Sequence, residues 1–277
     1  MGQHYSSISQ PEMEIVAPVQ QLALHSNDAP AGCITILDWD DTLFPTSFMK
    51  AQQLQQNGLS SSAEMRRLED VVLDLLTKAA NLGQVCIISN SAQGWVHQSA
   101  SRYMPRVGKF LQDHVWIVHT KRFQSPERNV PLKWKIAAFL HVVSSYLGPQ
   151  PRGFHSLISV GDSHLERVSL GMVASVFGLK FKNFASLKLQ ERPHTVLLTL
   201  QLGLLCDGFS CLAEKEGKYD LVFDFDSRTF VEVENQGNQP FQVESKPKEV
   251  GDSSSGQPRA PVADAPVADI PACLEEI

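Results

Sequence analysis

The sequence lacks the features that mark disulfide-rich, nucleic-acid-binding and membrane-spanning proteins. Its five cysteines are odd in number and form no close pairs, which disfavours a disulfide framework or a zinc site and favours a reducing, cytoplasmic compartment. No cluster of basic residues with interleaved aromatics is present, so the positive field that neutralises nucleic-acid phosphates is missing. No apolar run approaches the length that a membrane span requires. We therefore expect a soluble protein that has no nucleic-acid partner.

Composition divides the chain of 277 residues into a central part and two polar ends. Residues 1–31 show no sustained hydrophobic period, which predicts a flexible N-terminal arm. Residues 234–277 are acidic and rich in Pro, Ser and Gly, and they repeat Ala-Pro-Val-Ala-Asp at 260–264 and 265–269. This composition predicts a disordered tail. A single catalytic domain is expected over residues 32–233.

Within the central part, short apolar runs alternate with segments of helical period. This pattern predicts an α/β fold with an open parallel sheet and helices on both faces. The predicted strands are 33–38, 84–89, 115–120, 157–161 and 179–184. The predicted helices are 61–81, 92–103, 132–147 and 164–177. A further helix at about 194–206 and a strand at 219–225 are expected to complete the domain.

Polar residues follow several of the apolar runs, and ligands of open α/β sheets bind beyond the carboxyl ends of the strands. The first run leads into Asp38-Trp39-Asp40-Asp41-Thr42, and the second ends in Ser89-Asn90. A helix after Pro131 opens with Lys133 and Lys135, and the fourth run leads into Gly161-Asp162-Ser163-His164-Leu165-Glu166. Each string alone is common in proteins, because serines often cap helices and lysines often lie at the surface.

Taken in this order, the four motifs resemble those of the haloacid dehalogenase superfamily: Asp-x-Asp-x-Thr, a strand ending in Ser or Thr, a Lys, and Gly-Asp-x-x-x-Asp. The resemblance covers about residues 33–185, and Glu166 replaces the commoner second Asp. It implies a phosphatase in which Asp38 attacks phosphorus and forms an aspartyl-phosphate. Asp40 would act as the general acid and base.

The remaining roles implied by the resemblance concern hydrogen bonds and charge. Thr42 and Ser89 would hydrogen-bond the site, with Ser89 holding a phosphoryl oxygen. Either Lys133 or Lys135 would neutralise charge on the nucleophile and phosphate; Lys135 is preferred, but the sequence does not fix which lysine faces the sheet end. His164 and Asp41 are expected to be a surface histidine and a turn acid, and Trp39 to pack on the face opposite the aspartates.

A magnesium ion is also implied by the resemblance. Asp38, the backbone carbonyl of Asp40, and Asp162 would bind Mg²⁺, which prefers oxygen ligands. Glu166 would support the metal shell, but Ser163-x-x-Glu166 also has the form of a capping box at a helix start. The sequence leaves both roles open for Glu166.

The short spacing between the motifs predicts that no large cap domain covers the site. Only about seventeen residues, 44–60, separate the first motif from the first long helix, and residues 89–133 are used by a helix, a strand and a loop. The resemblance is therefore to the capless phosphatases, which implies a large or protein phosphoester as substrate. A small phosphorylated metabolite, and a catalytically weak membrane-associated adaptor, remain the alternatives.

The N-terminus Met1-Gly2-Gln3-His4-Tyr5-Ser6 fits the short rule for N-myristoylation at Gly2. No basic cluster or cysteine nearby supplies a second anchor. A single myristoyl chain binds membranes marginally and reversibly. We therefore expect a cytoplasmic protein with, at most, weak peripheral membrane association through Gly2.

Overall fold

The computed structural model describes residues 32–54, 62–126, 130–148 and 154–233. The predicted arm and tail, together with Gly2, lie outside these residues. The described chain forms seven strands: β1 (Cys33–Leu37), β2 (Gly83–Ser89), β3 (Trp116–His119), β4 (Ser156–Gly161), β5 (Asn183–Lys188), β6 (Gly217–Asp224) and β7 (Thr229–Glu232). The helices are α1 (Thr46–Leu54), α2 (Ser62–Leu82), α3 (Trp95–Tyr103), α4 (Pro105–His114), α5 (Pro131–Leu147), α6 (His164–Phe177) and α7 (Thr195–Glu214).

The strands form one mostly parallel sheet in the order β3-β2-β1-β4-β5-β6-β7, with only β7 antiparallel to its neighbour. The predicted α/β class with a parallel sheet is therefore confirmed. Chain order reverses at β1, because β2 lies on one side of it and β4 on the other. In doubly wound sheets, this reversal opens a crevice at the carboxyl ends of the two strands on either side of the switch, where ligands bind.

Helices cover both faces of the sheet. On one face, α2 packs against α7, and the two share a core cluster with Leu37 of β1 and Ile87 of β2. On the other face, α5 packs against α6 and β2. The neighbouring side chains Ile36 and Ile88 point to this second face because successive residues of a strand alternate, and both are buried.

Most predicted elements match the structure to within a few residues, but three differences matter. The strand predicted at 179–184 is wrong: residues Gly178–Lys180 form a 3₁₀ turn, and β5 begins only at Asn183. Leu179 suggested a buried strand, yet its side chain is fully exposed. Helices α1 and α4 were not predicted, because both are short and α4 follows α3 after a single residue.

Helix α7 is longer than the prediction of about 194–206 and is notably apolar. By length and composition it is the one helix of the described chain that could cross a membrane, which differs from the expectation that no apolar run approaches this length. Its inner residues Leu198, Leu202, Leu205 and Phe209 are buried in the core shared with α2. The core helix of a folded domain passes the same test of length and apolarity.

Candidate active site

The candidate site lies where β1, β2 and β4 end at the same edge of the sheet. Asp38 directly follows β1, Ser89 ends β2 and Asp162 directly follows β4. The backbone N–H of Asp38 donates to the carbonyl of Val160 at 2.9 Å, so the parallel pairing continues up to the aspartate. The fold thus brings residues more than one hundred positions apart to the switch point of the sheet.

A tight turn after β1 presents the two aspartates of the first motif. The carbonyl of Trp39 accepts hydrogen bonds from the backbone N–H groups of Leu43 and Phe44, both at 3.0 Å. The Trp39 ring is fully buried, and its indole N–H donates to Ser99, so the prediction that it packs away from the site is confirmed. Asp41 has a φ of 57° and its carboxylate accepts from the backbone and hydroxyl of Ser47. It therefore stabilises the turn and the start of α1.

Lys135 is the lysine that the fold places in the site. Its side chain is buried, and Nζ donates to Asp38 Oδ1 at 3.0 Å, to Glu166 Oε1 at 2.7 Å and to the carbonyl of Ile88 at 2.9 Å. All three ammonium protons are thereby used. Lys133 is half-buried and two residues earlier, which is about 200° around a helix axis. The two lysines therefore cannot face Asp38 together.

Glu166 takes the helix-capping role that the sequence left open. Its Oε2 accepts from the hydroxyl of Ser163 at 2.5 Å and from the Ser163 backbone, which completes a capping box at the start of α6. Its other oxygen contacts Lys135. A Cβ on Gly161 would lie 2.3 Å from Glu166 Cγ, so only glycine leaves room for this carboxylate. Both oxygens of Glu166 thus have protein partners, Ser163 on Oε2 and Lys135 on Oε1.

The charges at the sheet end do not balance. Lys135 is the cation among three buried or mostly buried carboxylates, Asp38, Asp162 and Glu166. Burial opposes ionisation of Glu166, but Lys135 outweighs it and lowers the pKa of that carboxyl. Burial disfavours the charged form of Lys135 as well, but Asp38 and Glu166 outweigh it and raise its pKa.

The two remaining carboxyls, Asp38 and Asp162, have raised pKa values. Burial raises the pKa of Asp38 to about 8, and Lys135 offsets this only in part. Burial, with the nearby carboxylates of Glu166 and Asp41, raises the pKa of Asp162 to about 7. Carboxyls in this setting are stabilised as anions when a further positive charge lies between them.

Asp40 is half-buried and accepts three hydrogen bonds. Oδ1 accepts from Thr46 Oγ1 at 2.6 Å and from the indole Nε1 of Trp95 at 2.8 Å. Oδ2 accepts from Ser89 Oγ at 3.1 Å. The predicted acid–base residue and the predicted phosphoryl-oxygen donor are therefore direct neighbours.

The other predicted residues have less direct places. The hydroxyl of Ser89 also bonds to Ser91 Oγ at 2.6 Å. Thr42 is fully buried, and its hydroxyl has no hydrogen-bond partner among the described residues. His164 is exposed at the start of α6, as expected of a surface histidine.

Sequence reasoning missed three residues beside Asp40. Thr46 and Trp95 are the first residues of α1 and α3. His119 ends β3 opposite Ser89, and burial lowers the pKa of its imidazole. Nothing in the local pattern links these residues to Asp40. The one available sequence signal is Gly94, which lies between the end of β2 and Trp95. It has a φ of 84° and directs the chain into α3.

The side chains alone do not form a complete metal cage. Among the described residues, no group of three or more His, Cys, Asp and Glu is gathered to hold an ion. The ligand set implied by the resemblance contains two carboxylates, Asp38 and Asp162, and one backbone carbonyl. Its surplus of buried negative charge fits a divalent cation, which commonly completes its shell with water and phosphate oxygens.

Comparisons with known proteins give no independent identification. The chain matches no family model, no curated protein and no solved structure. The function must therefore be argued from the fold and from the geometry at the ends of β1, β2 and β4.

Proposed function

We propose that this protein is a magnesium-dependent phosphomonoester hydrolase of the haloacid dehalogenase type. The observation that carries the proposal is the buried contact between Lys135 and Asp38, beside Asp40, at the switch point of a parallel sheet. A buried lysine with two carboxylates is costly to form. Its position where ligands bind in α/β sheets supports a catalytic role.

In the first step, an oxygen of the Asp38 carboxylate attacks phosphorus, and the bond from phosphorus to the leaving oxygen breaks. Protonated Asp40 gives its proton to the leaving oxygen and becomes a carboxylate. Lys135 holds Asp38 in place and offsets the negative charge that nucleophile and phosphate bring together. The product of this step is an aspartyl-phosphate and a released alcohol.

In the second step, water attacks the phosphorus of the aspartyl-phosphate and gives a proton to the Asp40 carboxylate. Asp38 leaves as a carboxylate, and inorganic phosphate is released. The hydroxyl of Ser89 donates to a phosphoryl oxygen during both steps. Asp40 thus returns to its protonated form for the next substrate.

Mg²⁺ would be held by Asp38, Asp162 and the backbone carbonyl of Asp40. When bound, it supplies positive charge that lets anionic nucleophile and phosphate approach each other. Two features of the described residues support this assignment: burial raises the pKa of Asp162, and only one lysine lies among the three carboxylates.

We further propose that the substrate is large, such as a phosphorylated protein. Between β1 and β2 the described chain forms only α1 and α2, and between β2 and β3 it forms α3 and α4. Val96, Ala100, Val107 and Leu111 of α3 and α4 are buried in the domain core. These helices therefore belong to the sheet domain, which supports an open site without a large cap. A small phosphorylated metabolite is the alternative substrate.

The test of the reaction is release of phosphate by purified protein from an aryl phosphate, with and without Mg²⁺. Asp38→Asn should reduce turnover by about 10³-fold or more, the scale on which loss of a nucleophile acts. The fold should persist, because the amide keeps the shape of the side chain. Asp113→Asn, at an exposed position of α4, is the matched control and should leave activity unchanged. Equal activity of both variants would refute the mechanism.

A cytoplasmic location with weak membrane attachment through Gly2 is a separate proposal that rests on the N-terminal sequence. In a eukaryotic cell, Gly2→Ala should shift part of the protein from membrane to soluble fractions. Unchanged fractionation, with no acyl group found by mass spectrometry, would remove this proposal.

A further inference from the structure

We propose that Trp95 and Thr46 are positioning residues that fix Oδ1 of Asp40 and thereby reserve Oδ2 for the catalytic proton. This inference rests on the proposed phosphatase reaction and adds two residues that none of the four motifs contains. Both donors lie outside the Asp-x-Asp-x-Thr string, one on α1 and one on α3.

The hydrogen bonds to Asp40 are unequally shared between its oxygens. A carboxylate oxygen has two lone-pair sites, and on Oδ1 both are occupied, by Thr46 Oγ1 at 2.6 Å and Trp95 Nε1 at 2.8 Å. A proton could bind Oδ1 only if one of these bonds were lost. Among the described residues, Oδ2 accepts a single and longer bond, from Ser89 at 3.1 Å, so it can take up the proton at smaller cost.

The two donors are held by packing as well as by hydrogen bonds. The Trp95 ring meets Phe44 edge-on at 6.3 Å between ring centroids, and Lys50 Nζ lies 5.9 Å from its centroid. Phe44 is fully buried, and its carbonyl is also within 3.5 Å of the Thr46 hydroxyl. Donors fixed in this way cost little reorganisation when the charge on Asp40 changes during the reaction.

The orientation of Oδ2 also links the proton to the substrate. Oδ2 faces Ser89, the residue proposed to donate to a phosphoryl oxygen. The Ser89 hydroxyl has one proton, so when it turns to the phosphoryl group it releases Oδ2. Oδ2–H can then give its proton to the leaving oxygen, and in the second step Oδ2 accepts a proton from the attacking water. Oδ1 keeps its two bonds throughout.

The first test compares two substrates that differ in their need for a proton. A nitrophenolate leaves readily without one, whereas an alkoxide does not. Trp95→Phe keeps the aromatic ring but removes the N–H, so kcat/KM for an alkyl phosphate should fall about tenfold or more, which is a part of the roughly 10²–10⁴-fold that a general acid contributes. For p-nitrophenyl phosphate the fall should be less than about threefold. Trp116→Phe, at a half-buried position on β3, should change neither value.

The second test uses a conservative pair at Thr46. Thr46→Val removes the hydroxyl at nearly constant volume and should reproduce the selective loss on the alkyl phosphate. Thr46→Ser keeps the donor and should retain most of the activity. Equal losses on both substrates, or equal effects of Val and Ser, would overturn the proposal, because a purely structural role would not distinguish leaving groups.

A measurement that is independent of activity separates this proposal from the phosphatase assignment. The four tryptophans each give an indole N–H signal in a nitrogen–proton NMR spectrum, and Trp95→Phe identifies the one from Trp95. Asp40→Asn should shift that signal and speed its exchange with solvent, while the signal of Trp116 stays in place. If the Trp95 signal has the same position and exchange rate in Asp40→Asn as in wild type, the positioning role is overturned, even when wild type is an active phosphatase. A wild type without phosphatase activity refutes the reaction instead, and with it the catalytic part of this inference.

Discussion

A lysine side chain enclosed by protein stays charged only where carboxylates and carbonyls replace its lost hydration. Lys135 meets this condition with two carboxylates and one carbonyl, each within 3.0 Å of Nζ. Removing it would leave Asp38 and Glu166 buried without their cation. Lys135 is therefore expected to contribute to the stability of the fold as well as to the proposed reaction.

This dependence can be measured with two neighbouring lysines. Lys135→Met should lower the free energy of unfolding by about 3–5 kcal/mol, the cost of breaking a buried ion pair. Lys133→Met, on the same helix but only half-buried, should change it by less than about 1 kcal/mol. Urea denaturation at pH 7 measures both. Similar values for the two variants would show that the Lys135 contacts contribute little.

The unbalanced carboxyls at the same site predict how stability depends on pH. Because the folded pKa values of Asp38 and Asp162 are raised to about 8 and about 7, the folded state keeps protons that the unfolded state has released. Stability should therefore fall as pH rises towards 8. Burial lowers the folded pKa values of His119 and His141. These histidines therefore make stability rise with pH, but only below their ordinary pKa. The window from pH 6.5 to 8 thus isolates the acids.

We expect the melting temperature of metal-free protein to fall by roughly 4–8 °C across this window, because the two raised pKa values together imply a loss of about 2 kcal/mol in stability. Asp162→Asn should flatten the fall. Added Mg²⁺ should raise the melting temperature more at pH 8 than at pH 6.5, because its ligands must be deprotonated. A Mg²⁺ effect of equal size in wild type and Asp162→Asn would argue against Asp162 as a ligand.

At the scale of elements, the start of α6 depends on one glycine. A methyl group on Gly161 would overlap the Glu166 side chain at 2.3 Å, displacing the capping box and its contact with Lys135. Gly161→Ala should therefore destabilise the protein by about 1–3 kcal/mol, the usual range for overpacking. Gly208→Ala, in α7 with nothing within 4 Å of the added Cβ, should stabilise it by about 0.5–1 kcal/mol. Thermal or urea unfolding of both variants tests the opposite signs.

The elements also show which sequence signals can be trusted. Helix α2 was predicted well because its buried residues recur at helical spacing over 21 residues. Strand β5 was misplaced because Leu179 and Phe181 imitate a buried strand, although the first is exposed in a turn. For the site, strand ends were enough to predict the places of Asp38, Ser89 and Asp162. The hydrogen bonds of Asp40 to Thr46 and Trp95 depend on tertiary packing, which no local pattern encodes.

For the whole molecule, the helices around the site predict its preference for substrate size. In the open site that we propose, a small phosphoester would bury little surface, so binding energy would have to come from contacts outside the phosphate-binding residues. We expect kcat/KM to rise from sugar phosphates to phosphopeptides in a panel assayed under identical conditions. A small metabolite that surpasses every phosphopeptide by a wide margin would mean that some other segment covers the site.

The strand order has a consequence for the newly made chain. Asp38 and Lys135 are separated by 97 positions, and ribosomes add about 5–20 residues per second, so the aspartate is synthesised roughly 5–20 s before its lysine. During that interval β1 also lacks β4, which later becomes its neighbour in the sheet. The nascent chain therefore cannot enclose these carboxylates early. The site closes only when residues as far along as Glu166 have left the ribosome, which makes it a late event in biosynthesis.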